Sequence, residues 1–418
     1  MSLKEIKLGD CLSMIENGAT IKQKEGAGGF PITRIETLSN DRFNRDRLGY
    51  ADIENIDLYK KHILDDEDLI MSHINSRTFL GRTVIYIKKG EEAIIHGMNV
   101  LRIKTKKTIL DPYYAYYYFK TQHFRKAIDN IRTDAINQSS INTNNIKDIK
   151  IHIPDLAIQE KVVGVLRGID KKIEKNEEMN AELEAMAKQL YDYWFVQFDF
   201  PDENGNPYKS SGGKMVYNPT LKREIPAGWE VKNLFYIANY YNGLACQNYR
   251  PSDGEESLPV IKITEMHNGF TSETEKATIN IPEEAIIENG DVLFAWSASL
   301  EVMLWGLGKG ALNQHIFKVT SNNGYPKSFY YYQLLEYVGH FKKIAEAKKT
   351  TMGHITKDHL EQSQIVVPPT TELPDQLEIR LKPIMHKMVT LSSERIYLTH
   401  LRDSLLPLLI NGQVKVED

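Results

Sequence analysis

The sequence predicts an α+β protein made of two mostly-β domains of one fold, each followed by a long helix. Three observations lead to this prediction. The chain has 418 residues, which is more than one ordinary domain core accommodates. Short motifs recur at an almost constant separation, and an apolar repeat of coiled-coil period follows each copy. We therefore expect a duplicated unit in which a domain precedes a helix.

The duplication rests on four pairs of motifs, two of which are 214 positions apart (355 − 141 and 326 − 112). The matching segments are residues 141–154 with 355–368, 112–118 with 326–332, 31–35 with 259–263, and 67–70 with 290–293. Between these segments the two copies differ in length and in residues. This pattern predicts two domains of one fold with different surfaces.

The domain borders follow from the motifs and from the change of period. We expect a first domain over residues 1–155, a helix over 156–200, a linker over 201–225, a second domain over 226–370 and a second helix over 371–418. Inside the domains, short alternating or β-branched runs such as 83–87 are typical of strands. Asp111 followed by Pro112 is typical of the start of a helix. The tyrosines that follow it are expected in the core.

Both helices carry apolar residues at alternating steps of three and four, which is the pattern of a coiled-coil seam. The first seam contains Leu166, Ile169, Ile173, Asn176, Asn180, Leu183, Ala187, Leu190 and Trp194. The second contains Leu381, Ile384, Met388, Leu391, Arg395, Leu398, Arg402, Leu405 and Leu409. The helices are expected to pack on each other, and the pattern alone leaves their relative direction open. The polar seam residues either fix the register or mark an opening toward another subunit.

Composition excludes several classes of protein. The net charge of −4 does not decide for or against nucleic acid, because the placement of basic groups matters more than their sum. No apolar run reaches about 18 residues, so no membrane contact is expected, and the start lacks a signal peptide's apolar core, which predicts a cytoplasmic protein. Cys11 and Cys246 occupy unmatched places in the duplication and are expected to be packing residues. The histidines lack metal-site spacing, so no metal is expected.

Catalytic motifs are also missing from the sequence. A DNA methyltransferase of the Asn-Pro-Pro-aromatic type needs a second proline that residues 111–114 lack. A nuclease needs clustered carboxylates around a metal, whereas Asp375 and Glu378 fall at a predicted helix start. We therefore expect no catalytic site in this chain.

Three features together resemble the specificity subunits of type I restriction-modification systems. They are the duplicated domain-then-helix plan, the helix end at residues 190–201, and the Ile-Pro-Ala-Gly-Trp-Glu-Val motif at 225–231. The resemblance covers essentially the whole chain. It implies two target-recognition domains separated by two long antiparallel coiled-coil helices with pseudo-twofold symmetry. It also implies sequence-specific recognition of double-stranded DNA at a bipartite site, which is expected to be asymmetric because the loops of the two copies differ.

The resemblance further implies partner subunits. Two modification (methyltransferase) subunits would dock on the helices, and restriction/translocase subunits would join through the complex. S-adenosylmethionine, ATP and magnesium are then expected on these partners only. One departure is Pro407, which has no counterpart in the first copy. It weakens the expectation that two identical partners dock interchangeably.

Residues that read DNA are expected in loops at matching places of the two copies, because Arg and Lys read guanine, and Asn and Gln read adenine. In the first domain the candidates are Lys22, Lys24, Arg34, Ser72, His73, Asn75, Arg77, Asn99, Gln138 and Ser139. In the second they are Gln247, Arg250, Lys262, Trp296, Ser297, Asn313, Gln314, His315, Lys348, Lys349, Thr350 and His354. Each one taken singly is equally well explained as a solvated loop residue, so the prediction concerns the loops.

Two other functions fit the same pattern. A protein-interaction scaffold could use the paired domains and the coiled coil without DNA. A self-standing two-site regulator would bind DNA tightly without partner subunits. Salt-sensitive binding of duplex DNA by the assembled complex separates the scaffold from the DNA readers.

Overall fold

The computed structural model describes residues 3–24, 28–39, 42–135, 138–297, 300–347 and 355–416. The chain divides into two compact units. The first unit comprises Met1–Asp170 with His400–Asp418, and the second comprises Lys171–Thr399. Both borders fall inside the long helices rather than at the ends of the strand domains. Within the described residues, no helix combines the length and the apolar character that a membrane span requires.

The first unit is built on an antiparallel sheet with the strand order β10-β8-β11-β2, and a smaller sheet has the order β3-β7-β4. The strands of this unit are β1 Lys4–Lys7, β2 Leu12–Asn17, β3 Gln23–Lys24, β4 Phe30–Ile32, β5 Leu38–Ser39, β6 Arg42–Phe43, β7 Gly49–Ala51, β8 Leu69–Ser72, β9 Ile74–Asn75, β10 Thr83–Ile85, β11 Val100–Thr105, β12 Thr133–Asp134, β13 Ser139–Ser140 and β14 Lys150–Ile153. Strand β14 pairs with β1, so the end of this strand domain returns to its start.

Among the described residues, four α-helices begin in the first unit: α1 Pro112–Phe119, α2 Gln122–Ile131, α3 Thr143–Lys147 and the long α4 Leu156–Tyr191. The Asp111 carboxylate accepts hydrogen bonds from the backbone N–H groups of Tyr113 and Tyr114 at 2.8 and 2.9 Å, which confirms the predicted helix start. The tyrosines of α1 are buried, as predicted. The core of this unit also contains Leu406, Leu409 and Ile410 from the end of the chain.

The second unit repeats the first. Its main sheet has the order β23-β22-β25-β18, which matches β10-β8-β11-β2 strand for strand. The strands are β15 Met215–Asn218, β16 Arg223–Pro226, β17 Glu230–Lys232, β18 Ala238–Asn242, β19 Ser257–Ile261, β20 Lys276–Thr278, β21 Ile286–Ile287, β22 Val292–Ala295, β23 Glu301–Leu304, β24 Gly310–Leu312, β25 Ile316–Ser321 and β26 Ile365–Val367. The helices are α5 Leu234–Ile237, α6 Ile263–Asn268, α7 Lys327–Ala347, α8 Lys357–Glu361 and α9 Glu372–Ile410. The predicted duplication and the α+β class are confirmed.

The long helices α4 and α9 run antiparallel in the second unit. Asn176 of α4 donates to the Glu394 carboxylate at 2.8 Å, whereas Trp194, just beyond α4, lies under the Arg380 guanidinium at 5.9 Å from the ring centre. Residue numbers that increase along the first segment therefore contact residue numbers that decrease along α9, as in an antiparallel pair. This direction agrees with the one that the family resemblance implies.

The seam residues differ in their burial. Those fully buried are Leu166, Ile173, Asn176, Ala187, Trp194, Leu381, Met388, Leu391 and Leu409, whereas Ile169, Asn180, Leu183, Leu190, Ile384, Arg395, Leu398, Arg402 and Leu405 are half-buried. Two polar seam residues find carboxylate partners within their own unit. These are Asn176 with Glu394, and Arg402 with Asp170 at 2.9 Å. Such pairs fix the register of the two helices.

The segment 201–225, predicted as a linker, is folded rather than extended. The Asp199 carboxylate accepts hydrogen bonds from the backbone N–H and the hydroxyl of Ser210, both at 2.7 Å. Phe200 stacks on Tyr208 and Trp229, with ring centres 4.7 and 5.1 Å away. Strands β15 and β16 then form a hairpin. The aromatic packing holds this segment against its own unit, so it does not serve as a free tether.

Candidate nucleic-acid interface

Six of the predicted residues of the second unit line one cleft of about 520 Å³. They are Gln247, Arg250, Lys262, Ser297, Asn313 and His315. The cleft lies beside the ends of β19, β22 and β24, because the loops that leave these strands supply Lys262, Ser297 and Asn313. The fold thus gathers side chains that are up to 68 positions apart (315 − 247) into one polar surface.

An acidic residue completes this cleft. Glu275 lines it, and its carboxylate lies 2.7 Å from the Lys262 ammonium. The hydrogen bond from Lys262 holds the pKa of Glu275 below its ordinary value, so the Glu275 carboxylate is ionised at neutral pH. Sequence reasoning missed Glu275, because no carboxylate was among the residue types expected to read DNA. Carboxylates accept hydrogen bonds from the cytosine amino group, which is the signal that could have found it.

Aromatic groups form one wall of the same region. Trp296 donates through its indole N–H to the Asn242 side chain at 3.1 Å, and its ring centre lies 5.9 Å from that of His315. The Asn313 side chain accepts from the His315 backbone N–H at 3.3 Å, while the Gln314 side chain lies 3.5 Å from the His315 ring nitrogen. Asn313 and Ser297 are buried, so they support the loops on which His315 is exposed. Lys348, Lys349, Thr350 and His354 lie outside the described residues.

The candidates of the first unit are more dispersed. Ser72 and Asn75 line a cleft of about 310 Å³ together with Arg47 and Arg82, two basic residues that sequence reasoning missed. Asn75 donates to the Ser72 hydroxyl at 3.2 Å. Because no matching motif in the second copy pointed to Arg47 or Arg82, the duplication could not reveal them.

Three candidates of the first unit are buried: Ser72, His73 and Ser139. The Ser139 hydroxyl donates to Asp134 at 2.6 Å, and burial lowers the pKa of His73. Within the described residues, Nδ1 of His73 has no hydrogen-bond partner. These side chains shape the loops from inside and do not present a polar group to solvent.

The remaining candidates of the first unit are at its surface. Lys22, Asn99 and Gln138 are exposed, and Lys24 forms a 2.8 Å ion pair with Asp52. Arg77 is exposed and lies 3.9 Å from Asp129. Arg34 is half-buried and donates through Nε to the side-chain oxygen of Gln23. Gln23 was not among the predicted residues, although it lies between two of them.

Arg34 and Lys262 occupy equivalent places in the two units. Each follows a strand, β4 or β19, and immediately precedes a helical turn, Ile35–Thr37 or α6. Each backbone N–H donates to the side chain three residues later, Thr37 at 2.9 Å and Glu265 at 3.2 Å. The duplication thus places two basic side chains on one backbone geometry.

Among the described residues, no group of three His, Cys, Asp or Glu side chains could hold a metal ion.

Comparison with known proteins gives consistent similarities. The profile of the family described as the type I restriction modification DNA specificity domain matches residues 2–185 and 226–385. A protein of Methanocaldococcus jannaschii that is assigned as the MjaX specificity subunit of a type I restriction enzyme is 28% identical, over 99% of this chain and 94% of the relative. The HindI specificity subunit of Haemophilus influenzae is 22% identical, over 71% of this chain and 75% of the relative.

One solved structure shares the fold. It is the S subunit of a type I restriction-modification system from M. genitalium, with a TM-score of 0.59 and 13% sequence identity. The superposition covers 98% of this chain and 96% of that one. The fold of this chain is therefore one that an experimental structure also has.

Proposed function

The chain belongs to the family of type I restriction-modification DNA specificity proteins, and we propose that it recognises a bipartite DNA site, one half with each repeat. As a specificity subunit it supplies DNA sequence recognition within a complex of the system's subunits. Recognition of a bipartite site is supported by one observation: the two repeats share a strand order but present different side chains at equivalent places. Two repeats with the same fold and different exposed side chains can each recognise a different half-site.

The difference between the repeats predicts an asymmetric site. The first repeat offers the Arg34 guanidinium, whereas the second offers the Lys262–Glu275 pair beside exposed His315. Arg, Lys, Glu and amide side chains discriminate base edges in the major groove through different donor and acceptor patterns. The two half-sites are therefore expected to differ in sequence.

The chain acts as a non-catalytic reader in this proposal, and the chemistry belongs to its partners. Two modification subunits dock on α4 and α9, and restriction/translocase subunits join through the complex. The exposed apolar side chains of Met186, Ile379 and Tyr397 on these helices support such docking, since apolar surface favours protein contacts. S-adenosylmethionine, ATP and magnesium bind to the partners, and the complex works in the cytoplasm.

The first experiment is co-expression of the chain with the modification subunit of its own system in a methylation-deficient host. Single-molecule sequencing of the host DNA then reports every modified base. We expect a split motif with a constant spacer that is absent when this chain is omitted. Unmodified DNA despite a well-formed complex would contradict the proposal.

A domain exchange tests the bipartite reading. The exchanged part should be Met1–Asp170 together with His400–Asp418, because Leu406, Leu409 and Ile410 complete the core of that unit. Replacing it with the equivalent part of another family member should change one half-site and leave the other unchanged. A change in both halves, or in neither, would show that the repeats do not read separately.

A further inference from the structure

We propose that Arg34 reads a guanine in the half-site of the first repeat and that Gln23 positions its guanidinium. This inference rests on the proposed function and names one specificity-determining contact within it. It follows from the way in which three strands of the small sheet hold the Arg34 side chain.

The side chains of Arg34 and Gln23 meet across Gly49. Gln23 lies on β3, Gly49 on β7, and Arg34 follows β4, with β7 between the other two strands. Nε of Arg34 donates to the Gln23 side-chain oxygen. A methyl group on Gly49 would overlap with both of these atoms and would lie 2.8 Å from Cζ of Arg34. A larger residue at this position would therefore displace the Arg34 and Gln23 side chains from their contact.

The backbone of Arg34 is fixed as well as its side chain. Its N–H donates to the Thr37 hydroxyl at 2.9 Å, and Thr37 is fully buried. The preceding residue, Thr33, is also buried, and its hydroxyl accepts from the Gly97 backbone N–H at 2.9 Å. Arg34 therefore extends from an anchored turn and not from a free loop.

The contact with Gln23 orients the guanidinium without neutralising it. Gln23 is uncharged, and within the described residues no carboxylate lies within ion-pair distance of Arg34 and no acceptor meets its terminal Nη groups. With Nε occupied, the two Nη groups remain as a planar pair of donors. Guanine presents two acceptors, O6 and N7, that match such a pair. A phosphate can accept from the same pair of donors, but only a guanine contact makes affinity depend on the base pair, and the test below measures that dependence.

The second repeat lacks this arrangement at the equivalent place. Lys262 has a single ammonium group, and that group is paired with Glu275 at 2.7 Å. A compact ammonium has no planar fork, and here an acidic partner competes with DNA for it. The guanine contact is therefore assigned to Arg34 alone.

The test uses the complex of this chain with the modification subunit of its own system. Once the wild-type motif is known, equilibrium binding is measured on duplexes in which each base pair of the first half-site is replaced in turn. For Arg34→Ala we expect preference for one guanine to fall by roughly 5- to 150-fold, with other positions of the motif unchanged. The methylation motif in the host should become degenerate at that same base.

Gln23 is tested by a pair of variants. Gln23→Leu removes the acceptor and should weaken the preference for that same guanine. Gln23→Glu retains an oxygen acceptor but adds a charge that competes with DNA for the guanidinium, so it should lower the affinity for all duplexes and leave that guanine preferred. Lys262→Ala is the matched control, because any change in preference that it causes must fall in the other half-site. Thermal melting of each complex shows whether a variant is folded, and the two Gln23 variants keep the test valid if Arg34→Ala is not.

The alternatives give distinct results. Equal weakening on all duplexes by Arg34→Ala would show a phosphate contact and would overturn the assignment. An unchanged motif for Arg34→Ala and Gln23→Leu would overturn it too, while the split wild-type motif would leave the proposed function intact. A wild-type complex without any sequence preference would overturn both.

Discussion

The two repeats keep the same ion pair at the same place but bury it to different degrees. In the first repeat Arg102 of β11 pairs with Asp68 at 2.6 Å, and both side chains are 2% exposed. In the second, Lys318 of β25 pairs with Asp291 at 3.1 Å, and the side chains are 16% and 24% exposed. The common fold therefore fixes where the ion pair lies, whereas the residues of each repeat determine how deeply the pair is buried.

The surroundings of the two pairs are also matched. Each aspartate accepts from a backbone N–H three residues earlier, Asp65 at 2.8 Å and Glu288 at 2.9 Å. Each cation also donates to a backbone carbonyl, Arg102 to Lys61 at 3.1 Å and Lys318 to Ile286 at 2.7 Å. Burial dominates in the first repeat, where it raises the pKa of Asp68. Removing one partner of a deeply buried ion pair lowers stability more than removing one partner of an exposed pair, because the remaining charge stays buried without compensation.

The largest expected effect comes from breaking the buried pair. Asp68→Ala removes the buried partner of Arg102 and leaves its guanidinium with the more exposed Asp65 carboxylate at 3.0 Å, so it should cost about 3–4 kcal/mol of stability. Asp291→Ala, the matched change, should cost about 1 kcal/mol because water reaches Lys318. Hydrogen–deuterium exchange of β8 and β11, compared with β22 and β25, measures each loss locally. Equal losses would refute the role of burial.

The next effect is a difference in acid stability. Burial lowers the pKa of His96 to about 4, and the fully buried His96 donates through Nε2 to the Val100 carbonyl at 2.8 Å. The His96 side chain binds a proton near pH 6.5 in the unfolded chain but only at about pH 4 in the folded unit. Stability should therefore fall by about 3 kcal/mol as pH drops through this window. The described histidines of the second unit are all exposed: His267, His315, His340, His359 and His386.

Hydrogen exchange of β11 as a function of pH measures this loss, with β25 as the internal reference. His96→Gln keeps a donor of similar reach and removes the titration, so the local loss between pH 6.5 and pH 4 should shrink. A second unit that loosens as much as the first would count against the assignment to His96.

A smaller effect is expected in the helix seam. Glu394→Ala leaves the buried Asn176 amide without its acceptor and should cost about 1–2 kcal/mol. Arg402→Leu in the first unit removes a half-buried cation and leaves Asp170 with the Tyr117 hydroxyl at 2.5 Å, so that change should cost less. Chemical denaturation of both variants compares the two seam contacts. A greater loss for Arg402→Leu would reverse this order.

The smallest effect on stability concerns the exposed pair in the second cleft. Glu275→Gln should change stability by less than about 1 kcal/mol, because the pair with Lys262 is largely solvent-exposed. It frees an ammonium group, however, so the salt dependence of DNA binding by the complex should steepen by up to about one phosphate contact. Asp52→Asn, which frees Lys24 in the first unit, is the parallel variant. An unchanged salt slope for Glu275→Gln would show that Lys262 does not approach phosphate.

The sequence predicted the features that depend on spacing. The separation of matched motifs gave the two repeats, and the heptad positions gave both helices. Their antiparallel direction needed contacts such as Asn176 with Glu394, which no seam pattern specifies. The sequence did not predict that the segment after α4 is folded. Its glycines are typical of a linker, whereas its stability comes from the stacking of Phe200 on Tyr208 and Trp229.

Sequence reasoning named residues that the fold brings together where the two copies could be aligned, and it missed their neighbours where the copies differ. Lys262, Asn313 and His315 were found because their loops have counterparts, and the fold brings them together. Gln23 was missed because its contact with Arg34 depends on the pairing of very short strands, β3 and β7, which have no strong pattern. Glu275 was missed because a carboxylate was not considered as a reader.

The contribution of the end of the chain to the first unit has a consequence for synthesis. Leu406, Leu409 and Ile410 pack in a core whose other members lie between Leu8 and Leu166. A ribosome makes those earlier residues first, but the core stays incomplete until residue 410 has been translated. The first repeat to be made is thus the last to be finished, and a chain that stops short of residue 400 exposes apolar core that folding chaperones and proteases recognise.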